Sequence, residues 1–117
     1  MTRDEFKQRT KGYALRVIKV VDALPGDMVS QTLGKQFLRA GTAVAANYRS
    51  AVRGRSRADF IAKMGIVEEE CDESILWMEL LTESGRIRPS RLKKLMDEGG
   101  EILAITVASI KTARRGT

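Results

Sequence analysis

Pairs of carboxylates are the side chains in this sequence that come closest to a catalytic pattern. Glu70 and Glu73 are three residues apart, as are Glu98 and Glu101. On a helix, residues at this spacing lie on one face, and two neighbouring carboxylates can bind Mg²⁺ for phosphoester chemistry. Because E-x-x-E is also common on any solvated helix, we treat a magnesium-dependent hydrolase as a remote alternative.

The absence of certain residue types excludes most other catalytic mechanisms. It contains no histidine, which rules out Ser-His-Asp and Cys-His nucleophiles, His-ligated zinc and the Glu-x-x-His pairs of di-iron bundles. The single cysteine, Cys71, falls on an apolar stripe beside acids. Burial and negative neighbours both raise a thiol pKa, so we expect an inert core residue. We therefore expect no enzymatic activity, no metal and no cofactor.

Two segments concentrate the positive charge of a chain whose net charge is +6. Residues 28–58 contain six basic residues and no acid, and residues 86–95 contain five more basic residues. Guanidinium groups match the geometry of phosphate oxygens, and clustered cations gain affinity for a polyanion by releasing its counterions. The candidate nucleic-acid-binding residues are Lys35, Arg39, Arg49, Arg53, Arg55, Arg57, Arg86, Arg88, Arg91, Lys93 and Lys94.

An acidic segment follows the first basic one and offers a second explanation for these cations. Residues 59–85 contain eight acids and one lysine. Adjacent helices of opposite charge pair well, although exposed pairs each contribute only ~0–1 kcal/mol, and the same complementarity could join neighbouring subunits. The arginines could therefore pair with these acids within or between subunits, and we favour ion pairing for Arg39.

Helix-capping signals and apolar periodicity divide the chain into four helices. Thr2 and Glu5 have the spacing of a capping box, Asp27 is a suitable N-cap, Ser56 precedes a third helix and Pro89 a fourth. No alternation typical of strands occurs. Long amphipathic segments with short connections predict an all-α, single-domain, antiparallel up-down-up-down four-helix bundle. The expected helices span residues 3–24, 28–53, 57–84 and 90–114, and the terminal A-R-R-G-T is expected to fray.

The segment from Gly34 to Leu81 resembles the small bacterial four helix bundle protein family, which is encoded in 23S rRNA intervening sequences and includes the retroelement accessory protein Avd. Three motifs carry this resemblance: QFLRA at 36–40 with NYR at 47–49, RSRADF at 55–60, and WMELL at 77–81. LP at 24–25 and ILAITVASIKTAR at 102–114 extend it over almost the whole chain. One departure is Ser50, where the family commonly has an acid, and it makes the segment from Arg39 to Arg57 more uniformly positive.

Several residues fit a role in packing or assembly better than a role in chemistry. Small residues of the second helix, among them Gly34 and Gly41, could pack tightly inside the bundle, but the resemblance favours a subunit contact. Asn47 is expected to be a buried amide that fixes register, and Gly99–Gly100 to mark a kink or a close neighbour. The residues assigned to a subunit interface or to register are Asn47, Tyr48, Glu69, Asp72, Glu73 and Trp77.

The resemblance implies antiparallel bundles that assemble as rings of five, without established catalysis, and basic Avd-like members that associate with nucleic acid and a reverse transcriptase. We therefore expect a non-enzymatic, homopentameric adaptor that presents basic surfaces to RNA, DNA or a protein partner. One alternative is a purely structural or protein-interaction ring. The remote alternative is a Mg-dependent all-α nucleotide pyrophosphohydrolase. No uncharged stretch approaches the length of a membrane span, so we expect a cytoplasmic protein without membrane contact.

Overall fold

The computed structural model describes residues 1–116 and contains four helices. They are α1 (Arg3–Asp22), α2 (Met28–Val52), α3 (Arg57–Glu83) and α4 (Pro89–Arg115). α2 packs against α1 and α3, and α3 packs against α4, in a bundle of 50 × 21 × 20 Å. The predicted all-α four-helix bundle is confirmed, and each helix begins and ends within two residues of its expected bounds. No helix in this part of the chain is long and apolar enough to cross a membrane.

Side chains at the helix starts account for where the helices begin. Thr2 Oγ1 accepts a hydrogen bond from the Glu5 backbone N–H at 3.1 Å, and Glu5 Oε1 accepts one from the Thr2 N–H at 2.9 Å. This is the expected capping box, and its hydrogen bonds lower the pKa of Glu5. Asp27 and Ser56 cap α2 and α3 by accepting from the backbone N–H three residues later, and Pro89 is the first residue of α4.

A buried polar cluster connects three of the helices at the centre of the bundle. The Tyr13 hydroxyl lies 2.8 Å from Ser74 Oγ, and Ser74 donates to the Cys71 carbonyl at 2.7 Å. Cys71 Sγ donates to the Gly99 carbonyl at 3.3 Å. Burial raises the pKa of the Cys71 thiol to about 12, and the expected core position of this cysteine is confirmed. Because these bonds can form in only one alignment, the cluster fixes the register of α1, α3 and α4.

Three glycines occur where a neighbouring helix leaves no room for a side chain. A Cβ on Gly41 would lie 2.7 Å from Val17 Cγ2, and one on Gly34 would lie 2.7 Å from Leu24 Cδ1. A Cβ on Gly99 would lie 2.9 Å from the tyrosine hydroxyl of the buried cluster, so a close neighbour accounts for the first glycine of that pair. The preference for a subunit contact was wrong for Gly34 and Gly41, which pack inside the bundle.

Candidate nucleic-acid interface

Antiparallel packing places the two basic segments at opposite ends of the bundle. The start of α1, the α2–α3 turn and the end of α4 form one end, where Arg3, Arg55 and Arg57 line a cavity of about 350 Å³. We call it the Arg57 end. The α1–α2 and α3–α4 turns form the other, where Arg86 Nε lies 3.6 Å from Asp27 Oδ2. We call it the Arg86 end.

The Arg57 end gathers exposed arginines from three separate parts of the chain. Within residues 1–116, none of them forms an ion pair. The guanidinium carbon of Arg3 lies 5.0 Å from the ring centroid of Phe60, within the range of a cation–π interaction. α4 remains helical through Arg115, so the expected fraying of the chain end was wrong for residues 113–115. Thr117 lies outside the described residues. The arginines at this end are Arg3, Arg53, Arg55, Arg57, Arg114 and Arg115.

Arg49 lies between two basic grooves on the side of the bundle. The α1–α2 groove encloses about 200 Å³ and is lined by Lys7, Gln8, Lys11, Ala45 and Arg49. The α2–α3 groove encloses about 400 Å³ and is lined by Ala46, Arg49, Ser50, Arg53 and Lys63. The three lysines lie outside the predicted set because they belong to α1 and α3, whereas the prediction followed runs along the chain. The i,i+4 spacing of Lys7 and Lys11 was the available signal.

Arg39 is occupied by acids of the neighbouring helix. Its Nη1 donates to Glu70 Oε2 at 2.9 Å, and its Nη2 donates to Glu73 Oε1. The two carboxylates raise the pKa of Arg39, Glu70 contributing more. The ion pairing favoured for Arg39 is confirmed. In the described chain, Lys35, Arg49 and the arginines of the α2–α3 loop form no such pair with the acids of α3.

A second arginine binds the other E-x-x-E pair. Arg9 donates through Nε and Nη2 to the two oxygens of Glu98, and through Nη2 to Glu101, all at 2.7 Å. The hydrogen bonds from Arg9 lower the pKa of Glu98. Both carboxylate pairs that could have bound Mg²⁺ therefore hold an arginine. Among residues 1–116, no three acidic or cysteine side chains are grouped so that they could hold a metal ion.

The cations of the Arg86 end are partly matched by acids and backbone acceptors. Arg86 donates to the Ser84 carbonyl at 3.3 Å besides its contact with Asp27, and Lys93 donates to Asp97 at 3.3 Å. Three of the five predicted residues are exposed and form no ion pair within the described part of the chain: Arg88, Arg91 and Lys94. This end therefore carries less unmatched charge than the Arg57 end.

The residues expected at a subunit interface have several different environments. Tyr48 is 3% exposed and packs edge-on against Phe6 with ring centroids 4.7 Å apart, so it belongs to the core of its own bundle. Asn47 is half-buried and donates to the Ala43 carbonyl of its own helix at 2.9 Å, rather than to a neighbouring helix. Glu69 and Asp72 are exposed; Glu73 and Trp77 are half-buried, and the indole donates to Glu73 Oε1 at 3.3 Å.

Large apolar side chains are exposed on two faces of the bundle. Ile66, Leu76 and Leu80 lie on the outer side of α3, interspersed with acids. The second set lies on α1 and α2, beside Lys19 and Lys35, and consists of Leu15, Ile18 and Leu38. One face is thus apolar and acidic, and the other apolar and basic.

Comparison with known proteins identifies a family and solved structures that this chain resembles. The model of the family described as 23S rRNA-intervening sequence protein matches residues 3–108. A crystal structure of a protein of unknown function from the S23 ribosomal protein family of Bacteroides thetaiotaomicron superposes with a TM-score of 0.88. It is 31% identical, over 95% of this chain and 99% of that chain. Among curated proteins, no sequence matches significantly.

Proposed function

This chain belongs to the 23S rRNA-intervening sequence protein family, and on that premise we propose that it is a non-enzymatic, oligomeric adaptor of the cytoplasm. Its Arg57 end, with the adjoining arginines of α2, binds nucleic acid, and its exposed apolar faces join copies of the chain. A nucleic-acid-processing protein such as a reverse transcriptase is the further partner implied by the resemblance.

The observation that carries the proposal is the unmatched positive charge of the Arg57 end. Six arginines from the start of α1, the α2–α3 turn and the end of α4 meet there without an ion pair in the described chain. Arginine clusters of this kind bind phosphate oxygens and gain affinity by releasing counterions. The cavity at this end holds a single aromatic side chain, Phe60, so we expect contact with the nucleic-acid backbone rather than selection of bases.

The two exposed apolar faces support assembly from copies of the same chain. The α3 face carries acids beside its exposed leucines, and the α1–α2 face carries lysines beside its own. Two unlike, complementary faces form a head-to-tail contact, and such contacts close into a ring when the rotation allows it. A ring of five is the number implied by the resemblance.

Nucleic-acid binding is tested by anisotropy of a fluorescein-labelled oligouridylate of about 20 nucleotides. Between roughly 0.05 and 0.2 M salt we expect the affinity to fall at least about tenfold, because three or more released counterions require it. A complete absence of binding at the lower salt, or binding that ignores salt, would overturn this part of the proposal. A stable ring without binding would indicate the purely structural alternative.

Assembly is tested by the mass of the protein in solution, measured by light scattering. We expect a multimer that dissociates in the Leu76→Glu/Leu80→Glu variant, since the two charges would enter the apolar α3 face. Ala104→Glu/Ala108→Glu, which places the same two charges on the exposed surface of α4, is the control and should leave the mass unchanged. A wild-type monomer would contradict the adaptor ring.

A further inference from the structure

We propose that the two grooves beside Arg49 form one track for the phosphate backbone of a single nucleic-acid strand, running from the Arg57 end along the side of α2. This inference rests on the proposed nucleic-acid binding and deepens it. It adds Lys7, Lys11 and Lys63 to the binding surface and specifies the path of the bound strand along α2. Arg39 lies outside the track because Glu70 and Glu73 hold its guanidinium.

The α1–α2 groove has cations on both walls and a small residue on the α2 wall. Lys7 and Lys11 are one turn apart on α1, and Arg49 lines the same groove from α2, one turn after Ala45. Residues four apart on a helix are separated by about 6 Å along its axis. Cations at this interval can each meet a successive phosphate of an extended strand, while the alanine lets the backbone approach.

The α2–α3 groove repeats this arrangement on the other side of Arg49. Arg49 and Arg53 form one wall and Lys63 the other, with Ser50 between them. Asp59 Oδ2 lies 3.7 Å from Lys63 Nζ, so one of the three groove cations is paired with a carboxylate of its own helix, whereas Arg49 and Arg53 form no ion pair in the described chain. The Ser50 hydroxyl is able to donate to a phosphate oxygen, whereas an acid at this position would repel one.

Arg53 connects the groove to the Arg57 end. It lines the α2–α3 groove and is also the residue that follows the last turn of α2, immediately before the loop that carries Arg55 and Arg57. The unmatched charge of the end and of the grooves is therefore continuous along the chain at this point. A strand bound at the cavity of the Arg57 end can continue along α2 without leaving positively charged surface.

The composition of the grooves favours nucleic acid over a second copy of the chain. Protein interfaces have apolar centres and are depleted in lysine. Neither groove is lined by a large apolar side chain, and together they contain three lysines and two arginines. The exposed leucines and isoleucines, which suit a subunit contact, lie outside both grooves. The grooves therefore fit a polyanion.

The track is tested with the Lys7→Gln/Lys11→Gln/Arg49→Gln variant of the full chain and the labelled oligouridylate. Each phosphate contact changes the salt slope for a single strand by about 0.7, which is about fivefold in affinity at roughly 0.1 M salt. Losing three contacts should weaken binding about 100-fold and reduce the slope by about 2. An oligothymidylate of equal length should behave alike within about twofold, because phosphate contacts do not distinguish the two sugars.

A matched control removes the same charge from the other end. Arg88→Gln/Arg91→Gln/Lys94→Gln lowers the net charge equally at the Arg86 end, so its loss of affinity should be well below that of the groove variant. If the wild type binds and the groove variant binds equally well, the track is wrong while the proposed function stands. If the wild type does not bind, the proposed function itself fails. If the groove variant instead dissociates into monomers, the grooves are subunit contacts and the track is overturned.

A single substitution tests the track without removing any cation. Ser50→Glu places a carboxylate in the α2–α3 groove at a half-exposed position, and we expect about fivefold weaker binding, equivalent to one lost contact. Ser50→Gln is the size-matched control and should bind like the wild type. A thermal midpoint close to the wild-type value would show that the bundle is intact, and unchanged binding by such a folded Ser50→Glu variant would contradict the track.

Discussion

Arg39 and Arg49 lie on the same helix, yet only one of them is available to a ligand. α3 runs antiparallel to α2, and opposite Arg39 it presents the carboxylates of Glu70 and Glu73. Opposite Arg49 it presents Lys63, which lines the same groove. The surroundings of the two arginines therefore differ in sign. Whether a cation on α2 is free to bind a ligand therefore depends on the side chain that α3 places opposite it. Its position in the α2 sequence alone does not decide this.

Reversing the charge of Lys63 should make the surroundings of Arg49 resemble those of Arg39. In Lys63→Glu the new carboxylate would pair with Arg49 or Arg53 across the α2–α3 groove, so one contact is removed and a second is neutralised. At roughly 0.1 M salt, oligonucleotide affinity should fall about 25-fold, measured by anisotropy. Lys63→Gln, which only removes a contact, should cost about fivefold. Equal losses in the two variants would contradict the opposing-residue argument.

Removing the acids opposite Arg39 is the converse change. In Glu70→Gln/Glu73→Gln the guanidinium loses both charged partners and becomes available to phosphate. We expect up to about fivefold tighter oligonucleotide binding, as for one added contact. Glu69→Gln/Asp72→Asn removes the same charge from exposed positions of α3 and serves as the control. An equal gain in the control would mean that the net charge of α3, rather than release of Arg39, sets the affinity.

Arg9 is a third arginine held by acids, and its pair with Glu98 should be visible in the pH dependence of stability. The folded-state pKa of Glu98 is lowered from 4.5, so the pair stabilises the protein above about pH 4.5 and is lost as the pH falls through the lowered value. Because both side chains are partly exposed, we expect about 1 kcal/mol. The free energies of urea unfolding of the wild type and Glu98→Gln should differ by this amount at pH 7 and converge as the pH falls below the lowered pKa of Glu98. A constant difference would exclude the carboxylate charge as its cause.

The smallest effect is expected from Arg39 itself. Arg39→Gln should change oligonucleotide affinity by less than about twofold, since the residue makes no contact with phosphate. The thermal midpoint should fall slightly because Glu70 and Glu73 lose their partner. Lys35→Gln, at an exposed residue of the same helix, is the control for removing a charge from α2. A loss of affinity in Arg39→Gln as large as in Arg49→Gln would remove the distinction between the two arginines.

The fold was predictable because its signals are local. Capping by Thr2, Asp27 and Ser56 and the apolar periodicity of each segment set the helices, and these depend on neighbours within a few residues. The core position of Cys71 followed from the same periodicity. Pairing of Arg39 could be expected because two oppositely charged helices are adjacent in the chain.

The candidate site was less predictable because it depends on which residues of different helices meet. The basic grooves combine Lys7 and Lys11 of α1 with Arg49 of α2 and Lys63 of α3, and no run along the chain contains all four. The role of Asn47 was misjudged for the same reason. Its side chain bonds to its own helix, and the buried cluster of Tyr13 and Ser74 that fixes the register spans residues distant in sequence.

The buried cysteine is an intrinsic probe of local opening of the bundle. Cys71 is completely buried, is the only thiol, and donates to a carbonyl of α4. A thiol reagent can reach it only after α3 and α4 separate, and the raised pKa makes the closed form still less reactive. The rate at which Cys71 is modified therefore measures how often α3 and α4 separate. A ligand or a second subunit that holds α3 against α4 would slow that rate, without any label having been introduced.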